Sequence, residues 1–479
     1  HGDLMSKSFA AIDLGATSGR VVLGSFTDDS FDLKEVHRFP NVPVTIDNTR
    51  CWDTASLFNE TLTGIGKAAA SVQHRGDRLA GVAADSWGVD YGLVDSESKL
   101  VAPARHHRAA EQSFVELAHQ QVPRERAYRR TGIIDLAINT CFQLMRDSQQ
   151  GLLEPGVRAL LIPDLWTTWL GGERGAERTI ASTTGLLDWS TREWDTELME
   201  TWSIPVDVMF DLHDACTSAG VLSSELSTRL GIGYDVPIFR APAHDTSSAF
   251  AAVTDPSDRA AVISCGTWAL AGCVLSQPVL TSDAMNAGFT NEMSADGSAL
   301  LVRNLSGTWL MDECIRAWAK ADGLSDITEF RSSLIASAKT EDVNVRGVID
   351  CGHPDLITTT NMPELIGQLY RDRFGAKDLD RVHTVRLILE SLAASFAETV
   401  EQIRSVTGTA IDELVMIGGG SRIEPLVDLT GKTTSLPVRV SYQEATSIGN
   451  IATQAVASGL FESIQSARNF ISDNLKESC

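Results

Sequence analysis

The sequence predicts an α/β protein of two large domains. Three features carry this: the chain is 479 residues long, more than one ordinary core organises; strand-like and helix-like periodicities alternate along it; and a strand, a glycine turn and a returning strand open each half.

The elements follow in order. Residues 9–14 are apolar, Gly15-Ala16-Thr17-Ser18-Gly19 makes the turn, and residues 20–26 return as an apolar strand. Residues 56–70 place Leu57, Phe58, Leu62 and Ile65 at helical spacing. Strand-like runs cover 79–84 and 89–94, the second ended by Asp95-Ser96-Glu97-Ser98. Another spans 236–241, ahead of a helix containing Ala249 to Val253. The second half repeats the opening, since residues 260–264 run into Cys265-Gly266-Thr267 and 268–275 return. Residues 385–403 form an amphipathic helix, with Asp380 and Thr384 near its start and Gly408 beyond its end. Residues 414–417 lead through Gly418-Gly419-Gly420-Ser421 to a helix with Leu426, Val427 and Leu429, and a small-residue helix is expected over 451–457. No linker-like tract divides the halves, so composition places the boundary near Asp255-Pro256-Ser257-Asp258.

Composition excludes several classes of function. Apolar residues make up 43% and charged residues 22%, without the run of about 18 apolar residues that a membrane span needs. A net charge of −23 repels a phosphate backbone over most of the surface, so no nucleic-acid partner is expected. The eight cysteines are scattered, with no Cys-x-x-Cys pair, which reads as a reduced, cytoplasmic protein. Residues 1–4, ahead of Met5, read as an expression remnant. Oligomeric state has no signature here.

Two glycine loops carry the chemistry of anion binding. Asp13-Leu14-Gly15-Ala16-Thr17-Ser18-Gly19-Arg20 combines backbone N–H groups, two hydroxyls and a cation at one turn. It is not a Walker A loop, because no Gly-Lys-Ser/Thr ends it, and a strand rather than a helix follows, which also excludes a dinucleotide fingerprint. The plain alternative is a hairpin turn with a surface arginine. The triple glycine is more specific, since three successive glycines cost conformational entropy unless something approaches the backbone. Asp245, in a loop at a helix start, reads as a helix cap as readily as a catalytic carboxylate. Trp87 reads as core and Asn304 as a turn residue.

Six blocks in order change the balance. Ala11 to Arg20, Asp85-Ser86-Trp87-Gly88-Val89-Asp90-Tyr91, His244-Asp245-Thr246-Ser247-Ser248-Ala249, Ser264-Cys265-Gly266-Thr267-Trp268, Gly418-Gly419-Gly420 and Glu444-Ala445-Thr446-Ser447-Ile448-Gly449-Asn450 resemble the rhamnulokinases among the FGGY carbohydrate kinases. The resemblance covers nearly the whole chain. It implies two actin-like (ribonuclease H-like) domains, an N-terminal sugar-binding one over 5–255 and a C-terminal nucleotide-binding one over 256–475. These would hold a catalytic cleft between them and close when both ligands bind. It implies transfer of the γ-phosphoryl group of ATP to a small ketose, L-rhamnulose foremost, with L-fuculose, xylulose or glycerol as other candidates of the family. A non-catalytic sensor on the same fold is the alternative of a different class, against which stand Asp13, Thr17, Asp245 and Thr267. By resemblance Asp245 is the general base, and Gly88, His244, Thr246, Asn304 and Trp87 hold the sugar. Ala16, Thr17, Ser18, Gly19, Arg20 and Thr267 meet the phosphates, Gly419 and Asp312 the rest of the nucleotide, and Asp13 holds Mg²⁺ through water. Two departures stand out. Pro103-Ala104-Arg105-His106-His107-Arg108 replaces a Tyr-Arg-Asp pattern, which bears on the sugar, and Ile423 stands where relatives often have Asn, which bears on the nucleotide.

Overall fold

The computed structural model describes residues 6–253, 259–340, 342–375 and 378–475. The boundary expected at Asp255 to Asp258 lies outside them. The chain forms two compact units. One comprises residues up to 255 together with 275–300 and the stretch from 445 onward, and the other comprises 256–274 and 301–444. Compactness therefore divides the chain differently from a single cut in sequence, because two later passages return to the first unit.

The first unit is built on strands β1 (Lys7–Leu14), β2 (Ser18–Phe26), β3 (Phe31–Pro40), β4 (Leu79–Ser86), β5 (Thr217–Val221) and β6 (Pro237–Arg240), in the order β5-β6-β4-β1-β2-β3. β1 runs antiparallel to β2 from Lys7↔Phe26 to Leu14↔Gly19 and parallel to β4. A central strand is covered on both faces, which is why β1 reads as a continuous apolar run rather than an alternating one. Helix α1 (Thr54–Gln73) lays Leu62, Ile65, Ala69 and Val72 against Ala10, Ile12 and Leu14. Asp53 caps it, accepting a bond from the Ser56 N–H at 3.0 Å.

The second unit contains β7 (Ala260–Cys265), β8 (Trp268–Leu275), β9 (Ala299–Ser306), β10 (Glu413–Ile417) and β11 (Val438–Val440), in the order β9-β8-β7-β10-β11. A hairpin pair followed by a parallel neighbour thus recurs, as the two expected openings require. Its longest helix, Arg381–Thr407, begins at Asp380, whose carboxylate accepts from the His383 N–H, and ends at Gly408 in the left-handed region at φ 69°. Leu392, Phe396, Val400 and Ile403 form its buried stripe.

One expectation needs correcting. The helix placed at 451–457 spans Ala445–Ala457, so Ser447, Gly449 and Asn450 are helical. Their small size serves close packing on the helix Asp245–Ala251: a Cβ at Gly449 would stand 1.7 Å from the Ser248 carbonyl oxygen. Among the described residues no helix is long and apolar enough to cross a membrane.

Candidate functional site

In the first unit the parallel pairing of β1 and β4 brings their acidic ends level, with Asp13 opposite Asp85. The antiparallel pairing of β1 and β2 sets Arg20 opposite Asp13, and its Nη2 lies 2.7 Å from Asp13 Oδ2. The Ser447 hydroxyl donates to that same oxygen at 3.3 Å. Asp85 is fully buried. Its Oδ2 accepts from Asn450 Nδ2 at 2.6 Å, and its Oδ1 has no partner. Burial, then repulsion from Asp13, pushes its carboxyl well above the ordinary range.

The turn between β1 and β2 leaves Ala16 and Thr17 exposed, with Ser18 half-buried. Asn41 pins it, donating from Nδ2 to Gly15 O at 2.9 Å and from its backbone N–H to Thr17 O at 3.0 Å. Gly19 is a packing glycine, since a Cβ there would lie 2.3 Å from the Phe39 ring.

His244 takes the cap position of the helix Asp245–Ala251 without a side-chain cap bond, and Asp245 is the first helical residue. Asp245 is therefore not the cap, although its Oδ1 accepts from the Thr246 N–H at 2.7 Å. Its side chain is 35% exposed, so the carboxylate opens to solvent from within a dense surround. Burial raises its pKa to about 6, against the opposing pull of the His244 cation. His244 sits between two carboxylates, with Nε2 3.4 Å from Asp245 Oδ1 and Nδ1 2.9 Å from Glu292 Oε2. Burial works against its charge, but Glu292, Asp245 and Glu177 together outweigh it and the imidazole rises to about 9. Gly88 lies alongside: a Cβ there would stand 3.2 Å from Thr183 Oγ1 and 3.3 Å from His244 Nε2.

Glu292 and Glu177 were not singled out in the sequence, whereas Thr183 belongs to a Thr183-Thr184 pair that also resembles the family. Glu292 arrives on the strand Thr290–Met293, in the passage that returns to the first unit, and no local pattern marks it. Glu177 is fully buried. Its Oε2 accepts from the N–H groups of Thr179, Ile180 and Ala243 and from the Thr179 hydroxyl, bracing the backbone just before His244.

Trp87 belongs to the core cluster, and its indole N–H donates to Asp90 Oδ2 at 3.0 Å. The same oxygen accepts from Trp52 Nε1 at 2.7 Å and pairs with His107 Nδ1 at 2.8 Å. Asp90 is thus enclosed by donors, and the His106-His107 departure is built into this cluster, with the His106 ring stacked on Trp52 at 4.1 Å. Val89 adopts φ 69°, and the Asp90 N–H closes a three-residue turn on Gly88 O at 3.0 Å. A β-branched residue there is strained; bonds to Val89 O from Thr140 and Gln143 hold it.

In the second unit Thr267 stands exposed at the β7–β8 turn. Gly307 packs beneath it, since a Cβ would meet Thr267 O at 2.5 Å. Asp312 is engaged on both oxygens, by the Thr308 hydroxyl at 3.0 Å and Arg331 Nε at 2.9 Å. Gly418 has φ 81° and ψ −179°, a conformation reserved to glycine. A Cβ at Gly420 would meet Cys265 Sγ at 2.4 Å, whereas Gly419 is exposed with nothing within 4 Å. Ile423 is 5% exposed and turned into the core. Asn304 is exposed on β9 and lines a recess of about 580 Å³ with Trp268, Arg303 and Arg373.

Comparison with known proteins adds ancestry to this geometry. Residues 9–252 match the model of the N-terminal domain of the FGGY family of carbohydrate kinases, and residues 261–458 match that of its C-terminal domain. A rhamnulokinase of Bacteroides thetaiotaomicron is 31% identical over 98% of this chain and 95% of its own length. One of Oceanobacillus iheyensis is 31% identical over 98% and 97%. A crystal structure of xylulose kinase from Lactobacillus acidophilus superposes with a TM-score of 0.77 at 16% identity, covering 97% of this chain and 92% of that one. Plasmodium falciparum glycerol kinase with ADP gives 0.76 at 15%, with the same coverage. These structures share the fold.

Proposed function

Because the chain belongs to the FGGY family of carbohydrate kinases, and so is an ATP-using sugar kinase, we propose that it phosphorylates L-rhamnulose on its 1-hydroxyl with Asp245 as general base. Phosphoryl transfer requires alignment, charge stabilisation and a group to take the hydroxyl proton. The observation that carries the role of Asp245 is its setting: an open carboxylate at a helix start, in contact with a cationic imidazole and beside the bare backbone of Gly88. A pKa of about 6 leaves it ionised at neutral pH yet more basic than an ordinary carboxylate.

Gly88, His244, Thr246 and Asn304 are the proposed sugar contacts, with Trp87 acting from the core through Asp90. The exposed backbone of Ala16 and Thr17, the Ser18 hydroxyl, Gly19, Arg20 and Thr267 are proposed for the phosphates, and Gly419 and Asp312 for the remainder of the nucleotide. Asp13 suits Mg²⁺ held largely through water and phosphate oxygens. One of its oxygens is committed to Arg20 and Ser447, and among the described residues no group of three or more His, Cys, Asp or Glu makes an all-protein metal cage. The ion would supply charge neutralisation at the phosphates.

L-Rhamnulose is favoured because the rhamnulokinases match end to end. A coupled ADP-release assay over L-rhamnulose, L-fuculose, xylulose and glycerol is expected to give the highest kcat/KM on L-rhamnulose, by about tenfold or more, the scale of one or two lost hydroxyl contacts. Equal turnover of xylulose or glycerol would sink the substrate assignment and leave the kinase.

A further inference from the structure

We propose that Glu292 is a positioning residue for phosphoryl transfer, holding His244 as an imidazolium 3.4 Å from the Asp245 carboxylate. The inference rests on the role of Asp245 given above. It begins from geometry. The three side chains form a line within the first unit, 2.9 Å from Glu292 Oε2 to His244 Nδ1 and 3.4 Å from His244 Nε2 to Asp245 Oδ1. Glu292 is 7% and His244 8% exposed, so little water screens their attraction. The 2.9 Å approach is not aligned as a hydrogen bond, and both atoms lack another partner. Charge attraction does not need that alignment, so the ion pair stands and gives each buried atom its one compensating neighbour.

A neutral imidazole here would leave the Glu292 carboxylate buried and unpaired, which costs more than protonating the ring. The other charged groups acting on His244 are Asp245 on its own helix and Glu177 on the strand Ala176–Glu177, both favouring the cation. Asp245 in turn feels Asp13 on β1 and Glu292, both opposing its ionisation, with His244 and the Thr246 N–H favouring it. On β4 the buried Asp85 carboxyl is itself pushed up, in part by Asp13 and Asp245. The Arg20 guanidinium on β2 is bound to Asp13. His244 is therefore a cation in contact with the base, and Glu292 is the nearer of the two carboxylates that flank it.

The test is Glu292→Gln, which keeps the shape and removes the charge. Histidine-selective NMR is expected to show His244 doubly protonated at pH 7.5 in the native enzyme and neutral in the variant. Turnover is expected to fall about 10- to 100-fold from loss of the cation that favours the ionised base, with KM for the sugar moving less than about threefold. Glu292→Asp, which retains the charge on a shorter arm, is expected to recover part of kcat and the charged imidazole. A neutral His244 in the native enzyme, or an unchanged titration in Glu292→Gln, overturns the inference. Should Glu292→Gln fail to fold, the native spectrum decides alone. If Asp245→Asn abolishes turnover while Glu292→Gln matches the native enzyme, only the Glu292 role falls. If Asp245→Asn remains active, the base assignment falls and takes the catalytic role of Glu292 with it, whatever His244 shows.

Discussion

Asp245→Asn is expected to lower kcat by about two to four orders of magnitude, the usual contribution of general acid–base catalysis. The substitution keeps the volume, and Asn still accepts from the Thr246 N–H through its amide oxygen, but it cannot take the hydroxyl proton. Sugar and ATP affinities by calorimetry are expected to change only modestly. Stability separates this from damage to the fold. A carboxyl raised from 3.8 to about 6 stabilises the folded state fully below the unfolded value and loses that contribution as pH rises through the folded one. At pH 7.5 the ionised carboxylate is thus a cost, discounted because the side chain is 35% exposed, and the Asn variant should melt no lower than the native protein. In the native enzyme kcat/KM is expected to fall about tenfold per pH unit below the inflection near 6. Removing the imidazolium by His244→Gln should move that inflection upward. A folded Asp245→Asn enzyme turning over within about threefold of native would remove Asp245 from the mechanism.

Gly449→Ala is expected to cost about 3 kcal/mol in urea unfolding, at the upper end of what overpacking by one methyl does. The new Cβ would stand 1.7 Å from Ser248 O, 2.7 Å from Ser248 C and 3.2 Å from Ala252 N. All three are backbone atoms, so no rotamer change relieves the contact and the helices must separate. The displaced helix carries Asp245, so kcat should fall with the midpoint. Gly66→Ala is the control: it also lies inside a helix, but its Cβ meets only Leu230 Cδ2, at 3.6 Å. There the gain in helix propensity should leave stability unchanged or raise it by about 0.5–1 kcal/mol. A Gly449→Ala protein as stable as native would mean that the two helices do not touch as described.

Features confined to short windows were legible in the residues alone. Residues 9–26 and 260–275 had to be hairpins because an apolar run, a glycine turn and a second apolar run admit little else. The helix Arg381–Thr407 announced itself through its 3.6-residue stripe, its Asp380 cap and Gly408. Gly419 was legible as open backbone because a triple glycine has few other uses. The order of blocks, matched to a family, pointed to Asp245. Long-range packing settled the other features. Trp87, core by its residue type and a sugar contact by resemblance, is a core residue tied to Asp90, and Asp312 is an anchored carboxylate held by Arg331. Glu292 has no local signature, and it matters because the fold sets it 2.9 Å from His244. Ser447 reaches Asp13 across 434 positions and Asn450 reaches Asp85 across 365. The physical reason is one of range. Periodicity and turn chemistry act over a few residues and are printed in the sequence, whereas the charge on a carboxyl or an imidazole is set by desolvation and by neighbours within a few ångströms, whose identity only the completed packing supplies.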